Sequence, residues 1–225
     1  MPKASKDMPR LAKVWIAAVI TAGAAVGVSA VLDWQCASLP RFWAMLVLAI
    51  AGGAVKARLP GMTGTYSASF VFVLAAVPGL SLSEMVAVAA GTAAVQNFWR
   101  SRTKVRPVQL LFNVSNLILS TALADAAYGS GTYAVAQLTF AVVVYWAVNT
   151  GILSVVLTLV GEGQFLDLWR RWCLYSLPFH LGGGAVAILL SEPLSQGDWR
   201  AAVVFAPVVV FAAKYYRAEV SRVAH

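Results

Sequence analysis

Unbroken apolar runs of helical length recur along the chain between short polar loops. They predict membrane-spanning segments at approximately 13–32, 40–56, 61–79, 82–98, 108–128, 134–160, 173–191 and 199–216. The runs do not alternate as barrel strands do, and a helix satisfies its own backbone hydrogen bonds in lipid. The expected fold class is all-α, a polytopic transmembrane helix bundle of about eight segments. Residues 1–12 would be a cytoplasmic N-terminal tail, 13–216 the transmembrane domain, and 217–225 a cytoplasmic tail or the start of a linker.

The third segment is the weakest. Only Tyr66 to Val77 is cleanly apolar, roughly 18 Å as helix. It follows Leu59-Pro60-Gly61-Met62-Thr63-Gly64-Thr65, whose Pro60, Gly61 and Gly64 favour an irregular path. Such a path is tolerated at membrane depth only where protein encloses it or a cavity borders it. The third and fourth segments are therefore also readable as a re-entrant hairpin.

Charge gives the orientation, because Lys and Arg concentrate in short cytoplasmic loops. With the N-terminus inside, the cytoplasmic set is Lys3, Lys6, Arg10, Lys13, Lys56, Arg58, Arg100, Arg102, Lys104, Arg106, Arg170, Arg171, Lys214, Arg217 and Arg222; only Arg41 and Arg200 fall outside. The bias predicts an even number of crossings with both termini cytoplasmic. The chain from Gln96 to Asn116 is its clearest marker: a basic loop with polar amides in the apolar segment on either side.

Composition agrees. The 225 residues are 60% hydrophobic and 12% charged, against about 25% charged in soluble domains, and the mean hydropathy is +0.75. The net charge of +8 lies in loops between apolar runs, so it reads as orientation in a bilayer and not as a nucleic-acid surface. The lipid bilayer is the expected partner and nucleic acid is not. Cys36 and Cys173 are expected in loops on opposite sides of the membrane, which excludes a disulfide between them. Val28-Ser29-Ala30 resembles a signal-cleavage site, but the run before it exceeds a signal core and reads as a retained helix.

Two segments carry packing signals. Gly23 and Gly27 form a small-residue stripe suited to close contact within the bundle or between two protomers, which makes a homodimer one expectation. Gly163–Trp172, aromatic and basic, reads as a short interfacial helix.

Polar side chains at membrane depth face the interior and pair or border a pathway. Asn113 and Asn116 share one helix face. Counting inward from the cytoplasmic end, they lie roughly 8 and 13 Å deep, with Asn149 roughly 15 Å and His180 roughly 10 Å. Thr63, Thr65, Ser67 and Ser69 enter the same range, as do Gln96 and Asn97. The candidate ligand-binding residues are thus Asn113, Asn116, Asn149, His180, Thr63, Thr65 and Ser67. Two readings stay open: convergence on one pocket, or interhelical glue. Pro178 would weaken the seventh helix beside His180, and Gly182-Gly183-Gly184 would admit a neighbouring backbone.

No nucleophile, acid–base dyad or metal constellation is visible, so no catalytic residue, metal or cofactor is expected. The carboxylates are expected in loops, which leaves no mid-membrane proton or sodium relay.

Lys56-Ala57-Arg58-Leu59-Pro60-Gly61-Met62-Thr63-Gly64-Thr65-Tyr66-Ser67-Ala68-Ser69-Phe70-Val71-Phe72, with Arg106-Pro107-Val108-Gln109 and Phe112-Asn113-Val114, resembles a bacterial family. It is similar to the MASE-like multi-helix sensor regions that precede GGDEF diguanylate cyclase or HD-GYP phosphodiesterase domains. The resemblance implies an input module of the bacterial inner membrane whose last helix continues into a cytoplasmic output domain or acts on a partner. It carries over no catalytic residue. The leading reading is a non-enzymatic sensory or regulatory module; the alternative is a small-molecule transporter or a substrate-binding membrane subunit.

If the amides and the histidine form a ligand pocket, Asn113→Leu combined with His180→Leu abolishes the response and any bound endogenous ligand. Full retention of both would exclude the pocket.

Overall fold

The apolar runs fold as helices, each ended by local chemistry. The computed structural model describes residues 8–36, 38–54, 56–58, 65–99, 105–129 and 134–195. These form α1 (Arg10–Leu32), α2 (Leu39–Ala54), β1 (Lys56–Arg58), β2 (Thr65–Ser67), α3 (Ser69–Ala76), α4 (Leu82–Phe98), α5 (Pro107–Tyr128), α6 (Ala134–Leu159) and α7 (Phe165–Ser195). Pro107 opens α5 at a position where its missing N–H costs nothing. Ser81 and Glu84 close a reciprocal capping box on α4. By length and composition α1, α5 and α6 could each cross a membrane.

Contacts between neighbours fix the helix directions. Ile16 packs with Phe112 and Ala30 with Ile118, so α1 and α5 run parallel. Val86 joins the Ala30 and Ile118 cluster while Asn97 meets Asn113, which makes α4 antiparallel to α5. Trp146 meets Ser176, Thr150 meets Trp169, and Val142 lies against Gly184, so α6 and α7 are antiparallel. Arg10, Lys13, Arg106 and Arg170 accordingly gather toward one end of the bundle. Arg41 lies at the other, with its guanidinium on Gly79.

The chain around α3 departs from a simple span. β1 and β2 pair antiparallel with Lys56 opposite Ser67 and Arg58 opposite Thr65, and α3 has only eight residues, roughly 12 Å. Every residue from Ala68 to Val77 is buried. Lipid offers no partner to a backbone that leaves the helical path, so such a segment must be enclosed by protein. α2 reaches it through Gly52, where a Cβ would lie 2.9 Å from the Ser69 Cα. α7 reaches it through Gly183, where a Cβ would lie 2.6 Å from Phe70 Cε2 and 2.8 Å from Val71 Cγ2.

Several expectations are corrected here. The helical class holds with a small two-stranded hairpin added. Within the segment expected at 61–79, Thr65–Ser67 pair as strand and the helix α3 occupies only Ser69–Ala76. The interfacial segment and the seventh span are one helix, α7, which places position 173 inside a helix and not in a loop; no helix-breaking residue separates Phe165 from Leu177. That helix continues through Pro178, so the proline does not end it. Glu84 is not a loop residue: it occupies the first turn of α4 and is 1% exposed. The segment expected at 199–216 and the C-terminal tail lie outside the described residues.

The Gly23/Gly27 stripe is used within the chain. A Cβ at Gly23 would approach the Ser115 Cα to 2.6 Å, whereas one at Gly27 would meet only Ile118 Cδ1 at 3.7 Å. Gly23→Ala is therefore expected to destabilise by about 1–3 kcal/mol through overpacking. Gly27→Ala stays within about 0.5 kcal/mol of the parent. Unfolding midpoints in detergent check the contrast, and equal midpoints would refute the assigned packing.

Candidate functional site

In the half of the bundle toward the basic ends, polar side chains link each helix to the next. Gln96 of α4 donates through Nε2 to Ser67 Oγ and to Ser69 Oγ, the latter at 2.8 Å, and the two serine hydroxyls are 2.7 Å apart. This clamps the hairpin and the start of α3 onto α4. One residue on, Asn97 donates to the Ala93 carbonyl at 2.7 Å and accepts from Asn113 Nδ2 at 2.8 Å. That bond joins α4 to α5.

α5 is joined to α6 one turn deeper. Asn116 Nδ2 donates to Asn149 Oδ1 at 2.6 Å and approaches the Asn149 carbonyl at 3.4 Å. Asn116 is 2% exposed, and its Oδ1 has no hydrogen-bond partner among the described residues. An acceptor buried this way is costly to leave unpaired, so Asn116 is the candidate with unused capacity for a ligand's donor.

α6 meets α7 through a ladder of indoles and hydroxyls. Trp146 Nε1 donates to Ser176 Oγ at 2.9 Å, and Trp169 Nε1 donates to Thr150 Oγ1 at 3.2 Å. The two indoles stack with centroids 5.8 Å apart. His180, 1% exposed, has Nδ1 2.9 Å from the Ser176 carbonyl. A carbonyl can only accept, so Nδ1 carries the proton. The His180 ring lies 4.3 Å from that of Phe70 on α3, which closes a circuit from α3 through α4, α5, α6 and α7 back to α3.

Of the residues expected from sequence, Ser67, Asn113, Asn116, Asn149 and His180 thus occupy one half of the bundle, in separate contacts between adjacent helices. Asn113 bonds Asn97, Asn116 bonds Asn149, and the His180 ring packs at a tilt against Phe70. Position 65 lies in β2, and Thr63 lies outside the described residues. Gln96 and Ser69 take a larger part than expected. The roles of Ser176, Thr150 and Trp169 went unread, although the mid-segment position of Trp146 was a signal: an indole N–H in a bilayer needs an acceptor.

At the opposite rim a second cluster went unnoticed. Its signal was Ser81-Leu82-Ser83-Glu84, the spacing of a capping box. Glu84 Oε2 accepts from the Ser81 N–H at 2.9 Å, and Ser81 Oγ donates to the Gln35 carbonyl at 2.6 Å. The Gln35 N–H donates to Ser83 Oγ at 3.1 Å. Cys36, in the α1–α2 loop next to Gln35, is a partly exposed free thiol. Side-chain hydrogen bonding with Glu84 foremost, then desolvation, holds its pKa above the ordinary thiol value. Among the described residues no group of His, Cys, Asp and Glu is arranged to hold a metal.

The family model described as MASE9 matches residues 31–180, from the end of α1 to the middle of α7. No curated protein and no solved structure matches the chain.

The paired arrangement has a thermodynamic signature. A double-mutant cycle on Asn116 and Asn149 is expected to give a coupling of about 0.6–1.7 kcal/mol. A cycle on Asn113 and His180, which touch different partners, is expected to be additive within about 0.5 kcal/mol. Strong coupling of the second pair in unfolding measurements would instead mean that they share one site.

Proposed function

We propose that this chain, which belongs to the MASE9 family of membrane-associated sensory domains, is a non-enzymatic input module. It converts binding of a small or membrane-borne ligand into a displacement of α7 and of the chain beyond it. The observation that carries this reading is the closed circuit of contacts around α3. The segment is buried throughout, held at its start by Gln96 and seated against His180 and Gly183 of α7. A ligand shifts an equilibrium only by binding its two states differently. Asn116, with a buried unpaired acceptor next to the Asn149 bond, is where such a difference can arise. Asn113, Asn149, His180, Ser67, Thr65 and Thr63 remain the other candidate ligand residues.

The full topology is part of the same proposal: eight segments in a bacterial inner membrane with both termini cytoplasmic. The alternation of helix directions through α7, with Arg10, Lys13, Arg106 and Arg170 toward one end, supports it. The receiver of the signal would be a cytoplasmic domain or partner protein. The transporter reading draws on the broken α3 segment, since interrupted helices often border transport sites.

Single cysteines placed in 100–104 are expected to react with an impermeant maleimide only after cells are permeabilised, and those in 130–133 in intact cells. The reverse pattern would sink the orientation. With the native downstream sequence in place, a ligand that binds the wild type is expected to change spin-label distances at the cytoplasmic end of α7. It should lose that effect in Asn116→Leu. Solute uptake by vesicles containing only this chain would favour the transporter instead.

A further inference from the structure

α1 and α5 run parallel, and the contact of Ile16 with Phe112 sets their register near the basic end. Arg10, the first residue of α1, lies six residues before that contact, and so does Arg106, the N-cap of α5. The two arginines thus stand at one level on neighbouring helices, with Lys13 about one turn further in. All three are exposed. The sequence holds no Asp or Glu from 8 to 32 or from 85 to 124, so neither helix brings a carboxylate to this end. Trp15 Nε1 donates to the Ile152 carbonyl of α6 at 3.3 Å, which fixes the flank of α1 that faces α6. Lys13, two residues and about 200° round the helix from Trp15, lies on the other flank. The described carboxylates at this end, Glu162 and Asp167, belong to the α6–α7 connection and the first turn of α7, on the α6 side.

That other flank borders an open wedge. Toward the opposite rim α1 reaches both α4 and α5, where Ala30 packs with Val86 and Ile118. Near the basic end it has shifted toward α6, so α1 and α4 diverge over the surface of α5. Ile118, under the closed contact, is 7% exposed, whereas Leu111, two turns along the same stripe of α5, is 51% exposed. On α4, Ala90 packs into the closed end. Ala94, one turn on, lines a shallow apolar groove with Val95, Phe98 and Trp99. The wedge therefore has apolar walls and widens toward the level of Lys13, Arg10 and Arg106.

We propose that this wedge binds an anionic glycerophospholipid of the adjoining leaflet. An acyl chain lies along Ala94, Phe98 and Leu111, and the phosphate is held by Lys13, Arg10 and Arg106. Basic pockets between spanning helices suit acidic head groups in this way. The apolar walls accept the chain of any phospholipid, so the choice among lipids falls to charge. A zwitterionic lipid brings its own ammonium group against three cations, whereas an anionic one brings only negative charge. Diffuse attraction of a membrane surface to basic residues needs no wedge, which separates the two cases experimentally. Occupancy of the wedge does not depend on the sensory reading or on which face of the bundle is cytoplasmic.

Native mass spectrometry of the full chain in detergent, titrated with phosphatidylglycerol or with phosphatidylcholine, reads the lipid bound per chain. Each Lys or Arg near a lipid surface contributes about fivefold, so phosphatidylglycerol is expected to bind at least about tenfold more tightly than phosphatidylcholine. Combining Arg10→Gln, Lys13→Gln and Arg106→Gln should abolish that preference, and raised salt should erode it in the parent. Ala94→Leu fills the groove with all three cations in place and is expected to weaken phosphatidylglycerol binding at least about threefold. Where circular dichroism shows that variant misfolded, Leu111→Phe replaces it. Equal affinity for the two lipids, or a preference that survives the triple variant, overturns the site. So does parent-like binding in the groove variant, because the lipid would then be held by the basic surface alone.

Discussion

A bilayer offers no hydrogen-bond partner to a backbone that leaves the helical path, and the architecture around α3 follows from that constraint. The hairpin of β1 and β2 pairs part of its own backbone, and α3 is too short to cross on its own. Both are tolerated because protein surrounds α3 on all sides. Surrounding it demands close approach, which Gly52 and Gly183 permit. It also demands a polar fastening where strand passes into helix, which Gln96 provides by reaching Ser67 and Ser69 at once. The long helices α1, α5 and α6 face no such demand and pack as ordinary spans, with Gly23 admitting Ser115.

The same constraint explains the form taken by the polar interior. Each amide or indole that enters the apolar region must find a partner, and the nearest surface is the adjacent helix. The result is a chain of pairwise bonds, Gln96 to Ser69, Asn97 to Asn113, Asn116 to Asn149, and Trp146 to Ser176. Individually such bonds contribute about 1 kcal/mol. With the contact of His180 on Phe70 they form a circuit that returns to α3. The chain belongs to the MASE9 family of membrane-associated sensory domains.

The two ends of the bundle are unlike each other. Among the described residues the basic end is fastened by paired amides and stacked indoles but leaves the neutral Asn116 Oδ1 and Ser154 Oγ buried without a partner, whereas at the Arg41 rim the unpartnered buried atoms belong to a guanidinium and a carboxyl group, Arg41 Nε and Glu84 Oε1. Buried polar groups are ordinarily satisfied, and exceptions mark strain or function. α3 lies between the two ends and touches both, through Ser69 toward one and the Gly79 turn toward the other.

The membrane-spanning character, the helical class and the loop charge bias were legible in the residues, because hydropathy and the placement of Lys and Arg are one-dimensional quantities. So were the amides, since a polar residue in an apolar run stands out wherever it later points. The family resemblance was legible too, from Lys56–Phe72 and the Arg106 region, and it lies within the matched residues. Which amide meets which was decided only by tertiary structure: Asn113 and Asn116 share a helix face, yet one turns to α4 and the other to α6. The contraction of the third segment, the continuity of α7 through Pro178 and the burial of Glu84 were likewise settled by packing. Local sequence states what a segment permits; neighbouring helices, by excluding lipid and supplying partners, select among the permitted forms.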